Sequence, residues 1–367
     1  MPLRFLKKTS IIIMLIFCTS FSFAKKSSKT RTIIDQGGHS VVLPAKINRV
    51  VISSPWPLAS VFCLTLGPDK IVGLDPAIIS AAENSMLVKL FPNLSEIPSS
   101  FSKNGVLNTE ELLKLKPDVI LYSSGSMADY EACKKAGIPA VGFSLNVKDF
   151  NGIQTINSWV ELLGQVMGEN LSNSDYVKYG KEIEKLVSER ISKIPQEKRP
   201  AELFIHLYDS NIFTVPGNSS WADYWITASG GKNAAWEYKG NGKVNAEQLA
   251  DWNPELIFID NFNSLVPEDL YENTAGNFDW KKINAVSKKK LYKVPLGMYR
   301  WYESCSDSPL MLLWMAKQNH PDAFADIDLD TYIKDFYQRF YKINLTEEEL
   351  KKIYSSKKDA AIGIKQK

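Results

Sequence analysis

Short apolar runs alternate with amphipathic stretches from about residue 47 to residue 147. Arg49–Ile52 (RVVI), Lys70–Gly73 (KIVG), Asp118–Tyr122 (DVILY) and Ile138–Val141 (IPAV) each read as a short buried strand. Between them the spacing predicts helices over Pro57–Leu66, Glu110–Leu115 and Ala128–Ala136. Gly67 and Gly137 stop two of these, and Asn108 is placed as an N-cap, because its side chain can accept from the first free backbone N–H groups. Apolar strands spaced by helices predict a parallel sheet covered on both faces. The pattern returns between residues 201 and 294, with strands at Glu202–Leu207, Glu255–Ile259 and Leu291–Val294.

The two blocks echo each other. Asn108–Ser124 (NTEELLKLKPDVILYSS) aligns with Asn245–Asn261 (NAEQLADWNPELIFIDN) at an offset of 137, with Asn, Glu, Leu, Pro and Ile coinciding. Both copies place a proline between helix and strand, where it stops the helix. The chain is therefore read as α/β, with two lobes of related design. Helices are expected over Ile153–Met167 and Asn170–Ile194, the second about 36 Å long at 1.5 Å per residue and ended by Pro195. It reads as a stiff spine between the lobes. Helices Pro309–Gln318, Leu329–Tyr341 and Thr346–Tyr354 follow, the last opened by a Thr346/Glu349 capping box. The expected divisions are 1–24, a leader; 31–168, the N-terminal lobe; 169–196, the spine helix; 197–345, the C-terminal lobe; and 346–367, a terminal helix and tail.

The leader reading rests on Arg4, Lys7 and Lys8, the apolar run Ile11–Phe17, and Ser22-Phe23-Ala24 as a cleavage site, which together form a secretory signal peptide. The mature chain then starts near Lys25 and works in the periplasm. Cys18 follows bulky Phe17, so lipid attachment there is disfavoured. The chain carries 44 basic and 41 acidic residues, and losing the three leader cations leaves 41 of each. That balance argues against a nucleic-acid binder. Cys63, Cys133 and Cys305 remain in the mature chain, too few for a disulfide framework, and are read as buried thiols with one pairing left open.

Catalytic constellations are sparse. The histidines are His39, His206 and His320, and the sequence has no GxSxG elbow, HExxH motif or phosphate loop. This argues against an enzyme, and no resident cofactor or metal is expected. Aromatic residues are more informative, because several follow strands, where parallel sheets collect ligands. Trp56, Tyr208, Trp221, Tyr299, Trp301 and Tyr302, with Arg300 among them, are the candidate ligand-binding residues. Rings and a guanidinium there suit a flat or anionic ligand. Trp225, one turn after Trp221, is assigned to the core, and His206 to a strand.

Several short motifs in order carry a family resemblance. They are Arg31–Asp35 through Leu43-Pro44 and Arg49–Val51, the turn with Trp56, Gly67–Gly73, Pro117–Ile120, Ala136–Pro139, Ala228–Ala234, Trp252–Glu255 and Phe336–Tyr341. Together they make the chain resemble the ABC-transporter solute-binding proteins for iron–siderophores, haem and cobalamin. The resemblance implies two Rossmann-like lobes joined by one long spine helix, with cargo between them, and a monomer that delivers its cargo to a membrane permease. The implied cargo is a metal chelate, first an iron(III)–siderophore complex. Haem, cobalamin or a nickel or cobalt complex are the alternatives, with Tyr208, Tyr299 or Tyr302 available as a haem ligand. A ligand-sensing partner of a membrane receptor, or an extracytoplasmic enzyme such as a chelatase, are other uses of the same fold. Many relatives dock onto the permease through a glutamate on the first helix of each lobe. The corresponding positions here are read as Ser60 and Thr227, with Asp223 as a substitute acid.

Overall fold

The computed structural model describes residues 30–209 and 211–355. The leader and Cys18 lie outside the described residues. An antiparallel hairpin, Thr30–Ile34 with Ser40–Pro44, opens the chain. The N-terminal lobe follows, a four-stranded parallel sheet in the order Ile71–Leu74, Val50–Ile52, Val119–Ser123, Ala140–Phe143.

The C-terminal lobe repeats that order. Its parallel sheet runs Lys232–Asn233, Ala201–Ile205, Leu256–Ile259, Leu291–Lys293. In both sheets the second strand in sequence sits at one edge and the third lies beside the first. The echo noted in the sequence marks that third unit. Asn108 accepts from the N–H groups of Glu110 and Glu111, and Asn245 accepts from that of Gln248, each capping the helix that leads into its strand. A second, antiparallel sheet of Leu207–Asp209, Ile212–Pro216 and Asn241–Val244 is particular to the C-terminal lobe.

The strands bury both faces, as parallel strands must. Val50 and Ile52 face one cluster and Val51 the other, and Phe204 and Phe258 face opposite to Leu203, Ile205 and Ile257. One apolar cluster runs without interruption from the N-terminal sheet through the helices Gly152–Met167, Asp175–Ile191 and Ser308–Asn319 to the C-terminal sheet. Ser308–Asn319 is apolar on every side and buried along nearly its whole length, as expected of a helix enclosed by others.

The spine helix is shorter than the sequence suggested. It spans Asp175–Ile191, 17 residues and about 25 Å, because Ser174 caps it at the hydroxyl and Asn170 folds the preceding segment into a turn by accepting from Ser172. Cys63, Cys133 and Cys305 are free and buried, and burial pushes the Cys133 thiol up to about 12.

Asn108→Ala and Asn245→Ala should each cost about 1 kcal/mol, and the double variant about twice that, since the caps lie in different lobes. Thermal unfolding of the three variants checks this, and a markedly non-additive double variant would contradict it.

Candidate functional site

The carboxyl ends of the N-terminal strands build one wall of a cleft between the lobes. After Val50–Ile52 the chain turns through Ser53, Ser54, cis-Pro55, Trp56 and Pro57 into the helix Leu58–Leu66. Ser54 Oγ accepts from the Ser123 N–H at 2.9 Å, which ties this turn to the one after the third strand. Asp75 follows the second strand and caps Pro76–Glu83, and Ser126 caps Met127–Ala136. Three helices thus aim their N-termini at one space, and the positive ends of their dipoles face two carboxylates on the same wall, Asp75 and Asp129.

That space is a cavity of about 340 Å³ lined by Trp56, Ser54, Ser126, Asp75 and Asp129 on the N-terminal side. Asp75 is committed to its surroundings, accepting from the Ala77 N–H at 2.8 Å and the Ser102 hydroxyl at 2.5 Å. Burial raises the Asp129 carboxyl above its usual range, against the hydrogen bond from Ser126.

The opposite wall is Glu303, which the C-terminal lobe contributes. Its position is set by a loop pinned from beneath. Asp307 is fully buried, and its Oδ2 accepts from the Met298 N–H at 2.7 Å, the Trp301 indole at 2.9 Å and the Tyr337 hydroxyl at 3.1 Å. A side chain at Gly297 would put Cβ 1.9 Å from that same oxygen, so only glycine allows the loop to close this tightly. Burial pushes the Asp307 carboxyl up to about 6, and these donors hold it from rising further. The loop also fastens the lobes together. Gly297 O accepts from the Met86 N–H at 2.8 Å, and the Ser306 N–H donates to Ser60 Oγ at 3.3 Å.

Glu303 is half-buried, open to the cavity on one side, yet its Oε2 is sealed and accepts no hydrogen bond. Burial pushes its carboxyl up to about 7, while Arg300, the Tyr299 hydroxyl and His206 pull it down. His206 in turn bonds Asp260 through Nδ1 at 2.5 Å. Burial lowers the His206 pKa, but Asp260 and Glu303 outweigh it and the net shift is upward.

The candidate residues from the sequence divide sharply. Trp56 lines the cavity. Tyr299, Arg300, Trp301 and Tyr302 do not, being at most 5% exposed and forming the packed base of the loop. Arg300 lies over the Phe262 ring at 4.6 Å, so its charge reaches the cavity through Glu303 and not by contact. Trp221 packs edge-on between Phe150 and Tyr302, and Tyr208 stacks on Phe213 with its hydroxyl turned to Asn211. Trp225 is core, its indole donating to Tyr302 O. Ser60 is fully buried against Ser306, so it presents nothing to a docking partner. Thr227 and Asp223 line a separate open groove beside the exposed Trp236. The serines of the first and third turns and Glu303 were missed. Serines near strand ends and one acid among 41 carry no sequence signal, although Glu303 lies three residues from the singled-out Arg300.

Comparison with known proteins agrees with this architecture. The profile of the periplasmic binding protein family matches residues 67–296. The chain belongs to that family. A periplasmic solute-binding protein from Veillonella parvula is 32% identical and superposes with a TM-score of 0.80, covering 89% of this chain and 97% of that one. The molybdate-binding protein MolA of Haemophilus influenzae is 27% identical over 90% of this chain and 96% of its own length. The CeuE nickel–histidine complex of Helicobacter pylori shares the fold at 21% identity and a TM-score of 0.69, covering 89% of this chain and all of that one. This periplasmic binding protein is thus of an extracytoplasmic, ligand-binding family that serves ABC permeases. Among the described residues no helix is long and apolar enough to cross a membrane.

The raised Glu303 pKa gives a stability prediction with a definite sign. A carboxyl whose folded pKa lies near 7 favours the fold fully below its unfolded value, near 4.5, and loses that contribution as pH rises through 7. In cargo-free protein, Glu303→Gln should therefore raise the stability at pH 8 by about 2 kcal/mol after screening from the open cleft, seen as a higher melting temperature, and leave both unchanged near pH 4.5. A difference independent of pH would contradict this.

Proposed function

We propose that this chain is the substrate-binding component of an ABC importer whose cargo is a compact metal chelate, held between the lobes against Trp56 and Glu303. The observation that carries this reading is the cavity at the carboxyl edges of the N-terminal strands, with one residue of the other lobe completing it. At about 340 Å³ it lies at the small end of the roughly 300–1,000 Å³ typical of ligand sites. That volume suits a small complex better than haem or cobalamin. No histidine, tyrosine or methionine lines it, so it offers haem no axial ligand. Among the described residues no group of three or more His, Cys, Asp or Glu could hold a bare metal ion. The cargo therefore brings its own ligands, and the protein supplies shape and hydrogen bonds. An iron(III)–siderophore complex fits this reading when it is compact, and a nickel or cobalt complex with small chelators fits it equally.

Molybdate is the second reading. MolA carries that cargo in its name, and three helix N-termini converge on the cleft. In either case the leader directs the chain to the periplasm, where it acts as a monomer and delivers its cargo to the permease. Docking would not use Ser60.

Native mass spectrometry of the protein as purified should show one complex per chain, with a metal isotope pattern. Titration with ferric siderophores, nickel–histidine and molybdate should quench tryptophan fluorescence at one-to-one stoichiometry for one class. Trp56→Phe should remove most of the quench and weaken binding about tenfold. No quench with any probe would overturn the reading, and saturation by molybdate alone would establish the second.

A further inference from the structure

The cavity is acidic and holds no fixed cation. Asp75, Asp129 and Glu303 line it, and among the described residues no lysine, arginine or histidine does. The three acids are not equivalent. Glu303 is compensated from behind, where Arg300 and His206 favour its ionised form. Asp75 is the N-cap of Pro76–Glu83, and its oxygens accept from the Ala77 N–H and the Ser102 hydroxyl. Asp129 has no such structural duty, because Ser126 already caps its helix by accepting from the Asp129 N–H at 3.3 Å. Burial raises the Asp129 pKa, the Ser126 bond lowers it and the Asp75 charge raises it, and no cation is near enough to contribute. Two like charges beside one space, with no counter-charge, are relieved when something positive fills that space.

Trp56 adds a π face to the same space. Its ring is half-buried in the cavity wall, between Pro55 and Pro57. The face of an indole attracts cations. The rest of the lining is neutral, made of serine hydroxyls and apolar side chains such as Leu107 and Leu145.

Resting on the chelate reading above, we propose that the cargo of this cleft is a metal complex of net positive charge, with Asp129 as its counter-ion and Trp56 against its cationic face. The helix N-termini do not reverse this, because each dipole end amounts to about half a charge and each carboxylate to a full one. An anionic chelate, or an oxyanion such as molybdate, meets Asp75 and Asp129 with no cation to offset them. Complexes built from amine or imidazole ligands keep the charge of the metal and show it at their surface. Complexes built from carboxylates or catecholates cancel or invert it.

The test is isothermal titration of wild type and Asp129→Asn with three compact, exchange-inert cobalt(III) complexes that differ in charge. They are the cation tris(ethylenediamine)cobalt(III), the neutral tris(glycinato)cobalt(III) and the anion tris(oxalato)cobaltate(III), and sodium molybdate is the fourth probe. Wild type should bind the cation at least about tenfold more tightly than the neutral complex, and Asp129→Asn should lose most of that preference. The anion and molybdate should bind neither form tightly. Equal affinity for the cation and the neutral complex, tighter binding of the anion or of molybdate, or an unchanged preference in Asp129→Asn would overturn the proposal. Failure of all three cobalt complexes to bind wild type would instead refute the compact-chelate reading itself. Retained melting behaviour of Asp129→Asn separates lost recognition from lost fold, and the charge order in wild type needs no variant.

Discussion

The buried Asp307 carboxylate holds the cleft in shape. Three donors from two segments, Met298 N–H and the Trp301 indole of the loop and the Tyr337 hydroxyl of the helix Leu329–Tyr341, converge on one of its oxygens. A buried carboxylate is tolerated only when it is satisfied in this way. The consequence is a rigid loop from Leu296 to Asp307 that is bound to both lobes. Gly297 and Ser306 reach the N-terminal lobe, and Leu296 takes a bond from its N–H to Ile353 O in the terminal helix. The placement of Glu303 opposite the N-terminal helix ends follows from that anchoring.

The shared hydrophobic cluster gives the same picture at larger scale. The lobes are joined by the continuous packing of the helices Gly152–Met167, Asp175–Ile191 and Ser308–Asn319. Gly152 lies so close to the Trp225 ring that a Cβ there would sit 2.4 Å from it. Tight packing of that kind limits the relative motion of the lobes to small adjustments and disfavours wide hinge opening. Such a design suits a preformed cleft.

Much of the fold was legible in the sequence, and its physical basis explains why. Strands such as Asp118–Tyr122 are apolar at every position because both faces are covered, and the Asn108 and Asn245 segments repeat because the same cap, helix, proline and strand solve the same packing problem twice. The spine helix was read too long because Leu171, Ser172 and Asn173 have ordinary helical spacing, and only the Asn170 and Ser174 side-chain bonds reveal a turn.

The site was less legible. Trp56 stood out through its position between two prolines after a strand. The Tyr299–Tyr302 run stood out for the wrong reason, since four large side chains in a row supply the packed base of a loop more readily than a wet surface. Glu303 could not be separated from other acids, because its importance comes from the geometry of residues 297–307 and from the wall it faces, neither of which is a pattern along the chain. Ser60 illustrates the converse, a position that the family resemblance marks for docking and that packing turns inward.

The central claim is that cargo sits between Trp56 and Glu303 and carries a metal. The most direct measurement is a crystal structure of the protein with its co-purified cargo, with anomalous scattering recorded on both sides of the metal edge. One anomalous peak is expected inside the cavity between Trp56 and Glu303, ligated by atoms of the cargo. An anomalous peak in the groove beside Trp236, or cargo in the cleft that carries no metal, would contradict this.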